Sequence, residues 1–516
     1  MKRSLVCLLL ALVLLCTSGC SSWDAADDPL GELSDFYQTE NEEPAPEPLT
    51  AFTLPYIAGS TLDPVSATEP VQQAVDALLY EGLFVLDEQF QPTAVLADSW
   101  QYDSERMVWT IRIKSGAVFS DGTAVTAQDA AATLERARQS ARYAARLREV
   151  SSVSAQGDTV VVALSSPLST LPYRLDIPIV KAGTESRAAP VGSGPYVFVK
   201  SEDGAYLTAN TRWWQGLNTL PLTRIELKHC KDRDSALYAF SSREIQLLTL
   251  DLTGSGGTGV SGDGDYTDAP TTVMHFVGMN TRRAPLDDPA LRRALSAGID
   301  RAALTSSCLL GHGMAAQLPA SPAAAVYDTS LETPYNAATY VHLLNEALGA
   351  VEDGEQPQTL TLLVNEDSSF KVSAAQEVAA CLTGSRLTVT VEAVPWETFV
   401  ARLESGEFDL YYGECRLTAD WDVGALIGTE GAMNYGGYDS ETAWQLLQRC
   451  RTAGDSGRAA AALSALWQQL LEDAPFAPLC FKSTSVLTTT GVVTGLAPTE
   501  TDPFHDLGSW VVDLTK

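Results

Sequence analysis

A polar loop, Thr418-Ala419-Asp420-Trp421-Asp422, follows the apolar run Phe408 to Tyr412, which has the makeup of a buried strand entered from a helix that ends at Gly406. Loops at the carboxyl ends of strands are where α/β sheets hold their ligands. A carboxylate enclosed there can form a charge-assisted bond of about 1.5 to 3 kcal/mol with an ammonium group. Asp420 has a second use open to it, as a cap of the turn that follows. Trp396, Trp421 and Tyr435 are placed either to line the wall of a cleft or, as aromatics more often do, to fill a core.

Other chemistries lack their residues. The histidines His229, His275, His312, His342 and His505 show no His-Glu-x-x-His spacing. Ser193 lies between Gly192 and Gly194, whereas a nucleophile elbow needs Gly-x-Ser-x-Gly. Gly254 and Gly259 have part of a phosphate-loop spacing, but Val260 stands where the lysine belongs, so Gly254 to Gly264 reads as a structural loop. Cys230, Cys308, Cys381, Cys415, Cys450 and Cys480 contain no Cys-x-x-Cys pair and suggest no zinc site. Buried free thiols are expected, with one or two disulfides as the alternative outside the cell. No catalytic residue, metal or cofactor is expected.

The elements that must position this loop are legible upstream. Met107, Trp109, Ile111 and Ile113 alternate with polar or charged neighbours, the period of a half-buried strand. Turns at Ser115-Gly116 and Asp121-Gly122 follow, and Thr126 to Asp129 has the spacing of a capping box that starts a helix. Phe52 to Ala58 reads as a strand, Val71 to Leu83 as a helix, and Val153 to Leu164 as a hairpin turning at Gln156-Gly157-Asp158. Thr271 to Asn280 returns to strand, and Asp287 to Leu304 reads as one amphipathic helix. Leu360 to Val364 and Leu387 to Val394 flank a helix over Ser373 to Cys381, the β-α-β order of a parallel sheet. Helices over Ser440 to Arg451 and Ala459 to Glu472 precede a strand at Pro478 to Lys482.

A chain of 516 residues exceeds one core, so two or more lobes are expected. Its 65 acidic against 34 basic residues give a net charge of -31, which repels nucleic acid and anionic lipid. Lys2 and Arg3, the apolar run Leu5 to Leu15 and then Thr17-Ser18-Gly19-Cys20 read as a signal peptide, too short to span a bilayer. Ser21 to Leu49 is acidic and proline-bearing, with no Lys or Arg, and reads as an extended tether rather than an arm packed on the body.

In order along the chain, the strand, turn and capped helix of Leu96 to Arg138, Leu62-Asp63-Pro64, Tyr80-Glu81-Gly82-Leu83, Gly192-Ser193-Gly194-Pro195-Tyr196, the helix with Arg293-Ala294-Leu295 and Ile299-Asp300-Arg301, the loop at Asp420 and the segment Asn434 to Tyr438 all have counterparts elsewhere. Together they resemble the extracellular solute-binding family that includes bacterial dipeptide- and oligopeptide-binding lipoproteins, over nearly all of residues 50 to 490. The resemblance implies an α/β, two-lobed periplasmic-binding-protein-like fold of type II with an extra subdomain inserted in the first lobe. It divides the chain into a signal peptide at 1–20, a tether at 21–49, a first lobe from 50–63, 190–272 and 484–516, an inserted subdomain at 64–189 and a second lobe at 273–483. Thr17-Ser18-Gly19-Cys20 resembles a lipobox, which implies lipidation of Cys20 and anchoring at the outer face of the cytoplasmic membrane.

In peptide-binding members the loop aspartate, matched here by Asp420, pairs with the ligand's α-amino group. The family's Pro-Asp-Pro after it is here Asp422-Val423. The resemblance makes Asp420, Trp421, Asn434, Tyr435, Ser193 and Trp396 the candidate ligand contacts. It implies a monomer that closes on a peptide and serves the permease of an ABC importer, with nickel chelates, sugars and other small solutes as alternative ligands. A tethered receptor that senses peptides without transport is a rival reading. An extracellular hydrolase is another, because triads assemble from distant positions.

Overall fold

The computed structural model describes residues 48–516, except 203, 218–219, 252–263 and 350–355. The signal sequence, Cys20, the tether but for Pro48 and Leu49, and all of the glycine-rich loop but Gly264 lie outside the described residues.

The strand Val108–Ile113 buries Trp109, Ile111 and Ile113 and exposes Thr110 and Arg112, as its alternation requires. It belongs to a four-stranded antiparallel sheet whose order is Ala97–Asp103, Val108–Ile113, Thr159–Leu164, Val150–Gln156. Thr159–Leu164 is paired on both sides, which accounts for its unbroken valines. The helix Ala127–Ala137 starts with the expected box: the Thr126 side chain accepts from the Asp129 N–H, and the Asp129 carboxylate accepts from the Thr126 N–H. Phe119, Leu134, Val160 and Val162 share one core under this antiparallel layer.

The helix expected over Val71 to Leu83 is shorter, Pro70–Leu79. Tyr80 leaves in an extended conformation, and Glu81–Gly82 pairs with Pro178–Ile179, so these residues serve a two-stranded ladder instead. A second four-stranded sheet has the order Thr53–Tyr56, Arg224–His229, Ala205–Ala209, Tyr196–Lys200, with the first pair parallel. The end of the chain returns to it: Leu514 accepts a bond from the Leu49 N–H, and Phe504 and Trp510 share a core with Phe52 and Leu54.

The largest sheet has seven strands. Leu387–Val394, Gln358–Asn365 and Leu410–Arg416 are parallel neighbours, with the helix Ser369–Leu382 between the first two in sequence, as the β-α-β pattern predicts. The other side is antiparallel and contains two long strands, Gly264–Met279 and Phe476–Thr489. Gly264 to Pro270 pairs with Ser483 to Thr489; the register then shifts, and pairing resumes from Met274 to Gly278 against Phe476 to Phe481. One end of these crossing strands packs with Phe240 and Leu248 through Leu487, the other with the helices over the parallel strands.

Asp287 to Leu304 is two helices rather than one, Pro289–Ala297 and Arg301–Leu309. Gly298 sits so close to Tyr340 that a Cβ would lie 2.6 Å from its ring, and Asp300 starts the second helix by accepting from the Ala303 N–H. The six cysteines from Cys230 to Cys480 are all unbonded thiols. Among the described residues no helix is long and apolar enough to cross a membrane.

Candidate functional site

The loop after Leu410–Arg416 meets the antiparallel layer. Its geometry begins with Trp421, whose backbone is left-handed (φ 58°) and whose ring is 1% exposed. The ring sits edge-on to Phe90 at 5.0 Å and to Phe481 of a crossing strand at 5.8 Å. Phe90 lies in the turn between the short strands Phe84–Leu86 and Pro92–Ala94, a hairpin whose Phe84 shares the core of the antiparallel layer. That places Trp421 in the packed seam between the two layers.

Beside it lies a buried ion network. Arg174, at the end of the short helix Leu171–Arg174, has a side chain 1% exposed. Its Nε and Nη2 donate to Asp420 Oδ2 at 3.0 and 2.9 Å, Nη1 donates to Glu149 Oε2 at 2.8 Å, and Nη2 also reaches Asp422 Oδ2 at 3.4 Å. Arg451 holds Asp422 with a two-armed contact, Nε to Oδ2 at 2.6 Å and Nη2 to Oδ1 at 2.9 Å. Thr170 Oγ1 donates to Asp420 Oδ2, Thr418 Oγ1 donates to Oδ1, and the Ser169 N–H donates to the Arg451 carbonyl. The turn after the loop is capped by Asp422, which accepts from the Gly424 N–H at 2.8 Å; Asp420 is bonded elsewhere.

Burial alone would raise the Asp422 carboxyl, but the Arg451 hydrogen bonds and the Arg174 charge prevail and hold it down at about 2. Burial likewise opposes the charged form of Arg174, and Asp420, Asp422 and Glu149 outweigh it and push the guanidinium above its ordinary range. Both groups are ionised at neutral pH.

Of the remaining candidates, Asn434 staples its own loop: its amide donates to the Gly428 and Tyr438 carbonyls and accepts from the Tyr438 N–H. Tyr435 stands edge-on to Tyr411 at 6.0 Å, on the same side of the large sheet. Ser193 is fully buried where the glycine turn packs on the end of the helix Pro70–Leu79; a Cβ on Gly192 would lie 2.1 Å from the Leu79 carbonyl. Trp396 opens the helix Trp396–Ser405, is 55% exposed and stacks on Phe399. Ser193 and Trp396 share none of the seam's contacts among the described residues. Arg174, Glu149 and Arg451 were not expected at the site. One signal for Arg174 exists in sequence: it and Asp176 interrupt the apolar run Leu171 to Val180, a pattern of charges buried with partners.

A pocket of about 10 Å³ opens beside the seam, lined by Asp87, Glu88, Phe90, Pro270 and Glu500 among others. Glu500 is fixed there by the Thr272 N–H at 2.9 Å and Thr272 Oγ1 at 3.1 Å, and it pairs with Arg416. Among the described residues no group of His, Cys, Asp and Glu is arranged to hold a metal ion.

Residues 91–424 match the family model described as bacterial extracellular solute-binding proteins, family 5 middle. The glutathione-binding protein GsiB of Escherichia coli strain K12 is 24% identical over 447 residues, 81% of this chain and 86% of that protein. The structure is similar to the unliganded open form of the periplasmic murein tripeptide-binding protein MppA, with a TM-score of 0.76, 20% identity, and coverage of 91% of this chain and 99% of that one. It is also similar to the Bacillus subtilis oligopeptide-binding protein AppA in complex with a nonapeptide, with a TM-score of 0.60, 20% identity and coverage of 90% and 99%. The fold these likenesses establish is the two-lobed α/β one.

Proposed function

The chain belongs to the bacterial extracellular solute-binding proteins of family 5, and from that premise we propose that it captures a short peptide between its lobes and delivers it to the permease of an ABC importer. On this reading 50–63, 190–272 and 484–516 form the first lobe, 64–189 the inserted subdomain and 273–483 the second lobe. Cys20 carries the lipid that holds the protein at the outer face of the cytoplasmic membrane, and 21–49 is the tether. The chain acts as a monomer and cleaves nothing.

One observation carries the mechanism. The crossing strands run without interruption through both halves of the large sheet, with a register break between Pro270 and Met274, whereas the seam at Trp421 and Arg174 consists of side chains and a few loop bonds. A molecule so built can bend at the first connection and part at the second, which is hinge closure. The pocket beside the seam, about 10 Å³, is far below the roughly 300 to 1,000 Å³ of small-molecule sites, so a peptide enters by widening the seam. Ligand then shifts the balance only through contacts that are better in the closed form. Relatives whose names refer to glutathione and a murein tripeptide support a peptide as that ligand.

Native mass spectrometry of protein purified without denaturation tests the proposal. A spread of retained masses that fragments as short peptides is the expected result. One discrete mass belonging to a sugar or a metal chelate overturns it, and so does release of shortened peptides on incubation.

A further inference from the structure

The acidic loop that faces the antiparallel layer already holds a cation of the protein's own. A carboxylate offers about four lone-pair sites, about two on each oxygen. Asp420 Oδ2 receives Arg174 Nε, Arg174 Nη2 and Thr170 Oγ1 and is fully taken, and Oδ1 receives Thr418 Oγ1. Its side chain is 3% exposed. Charge is balanced as well, since Glu149, Asp420 and Asp422 face Arg174, Arg451 and Arg148, the last reaching Glu149 at 2.7 Å and Asp422 at 3.5 Å. A pair of Coulomb partners enclosed in this way leaves little field to draw in a further cation. The guanidinium fork, with five donors in a plane, suits this role better than an ammonium, which presents one compact charge.

We propose that Arg174 is a specificity-determining internal cation: it takes, on Asp420, the place that a ligand ammonium would take, so that this protein accepts peptides with a free or a blocked amino end alike. The proposal rests on the peptide reading given above. Arg174 comes from the antiparallel layer and Asp420 from the large sheet, so the same pair also holds the seam shut without ligand. Ligand contacts then lie elsewhere along the cleft, toward Glu500, Arg416 and the crossing strands, and selection acts on the peptide's body and carboxyl end.

The test is competition between a tripeptide library and its N-acetylated counterpart, weighed by native mass spectrometry on the full chain. The wild-type protein is expected to retain the two sets within fivefold of each other. A preference for free amines beyond fivefold overturns the proposal, since Asp420 would then be available to an ammonium. Arg174→Gln removes the internal cation and is expected to create a preference for free amines of tenfold or more, and Arg174→Lys to bring it back within fivefold. The wild-type comparison stands even if Arg174→Gln does not fold. Binding of neither library overturns the peptide reading alone, and the internal pair is then judged by small-angle scattering of ligand-free protein. Arg174→Gln, or Asp420→Asn in its place, should increase the radius of gyration; an unchanged radius overturns the pair as a latch.

Discussion

The crossing strands and the ion network around Arg174 both tie the large sheet to the rest of the body, by opposite means. The strands do it with backbone: their residues are paired at a set register, and the ladder slips between Pro270 and Met274 and again between His275 and Phe276. The network does it with side chains drawn from four stretches, at Arg148-Glu149, Thr170 to Arg174, Thr418 to Asp422 and Arg451. A ladder loses little when one bond is bent, because its neighbours keep the register. A buried ion network behaves in the other way, since each charge is tolerable only while its partner stays in place. The backbone connection therefore flexes, while the side-chain connection is held or released as a unit.

Removing one partner should break the comparison most sharply. Arg174→Met leaves Asp420 and Glu149 short of their cation and is expected to lower the free energy of urea unfolding by about 3 to 5 kcal/mol. The double change Arg174→Met with Asp420→Leu should recover most of that loss, a coupling that a set of independent contacts would not give. Acid comes next. The Asp422 carboxyl titrates at about 2 in the folded protein against an ordinary 3.8, so its contribution is complete above pH 4 and is lost as pH falls through 2. The stability difference between the wild type and Asp422→Asn should thus shrink over that window, by on the order of 2 kcal/mol; a difference that stays flat from pH 4.5 to 2 would show that the loop is not held by charge. The smallest effect belongs to the ladder. Thr271 Oγ1 donates to the Lys482 carbonyl at 2.6 Å beside the register shift, and Thr271→Val should cost about 1 kcal/mol. That loss should not vary with acid.

The sequence shows the first connection in part, since Thr271 to Asn280 and Pro478 to Lys482 read as short strands where the ladder runs over Gly264–Met279 and Phe476–Thr489, and it hides the second; elsewhere local signals are clear. Strand period exposes Val108–Ile113, and Thr126 with Asp129 announces a helix start, because both signals lie within a few residues of each other. The loop at Asp420 is likewise found from the strand before it. Its partner Arg174 is 246 residues away, and nothing local to either residue names the other. Charges interrupting the apolar run Leu171 to Val180 tell only that partners exist. Where local reading failed, tertiary contact had decided the outcome: Gly298 against Tyr340 divides a periodic stretch into two helices, and pairing of Glu81–Gly82 with Pro178–Ile179 cuts a helix short at Leu79. Asn434 is the opposite case, since its amide is taken up locally by the carbonyls of Gly428 and Tyr438 in its own loop.

Trp421, enclosed between Phe90 and Phe481, gives the molecule a property of a different kind. Indole emits at shorter wavelength in an apolar enclosure than in water, so the proposed separation of the layers would move this ring from one to the other. Subtracting the emission of a Trp421→Phe variant isolates its band from those of the other nine tryptophans. A red shift of that band in Arg174→Gln relative to the wild type would report release of the latch without an attached dye.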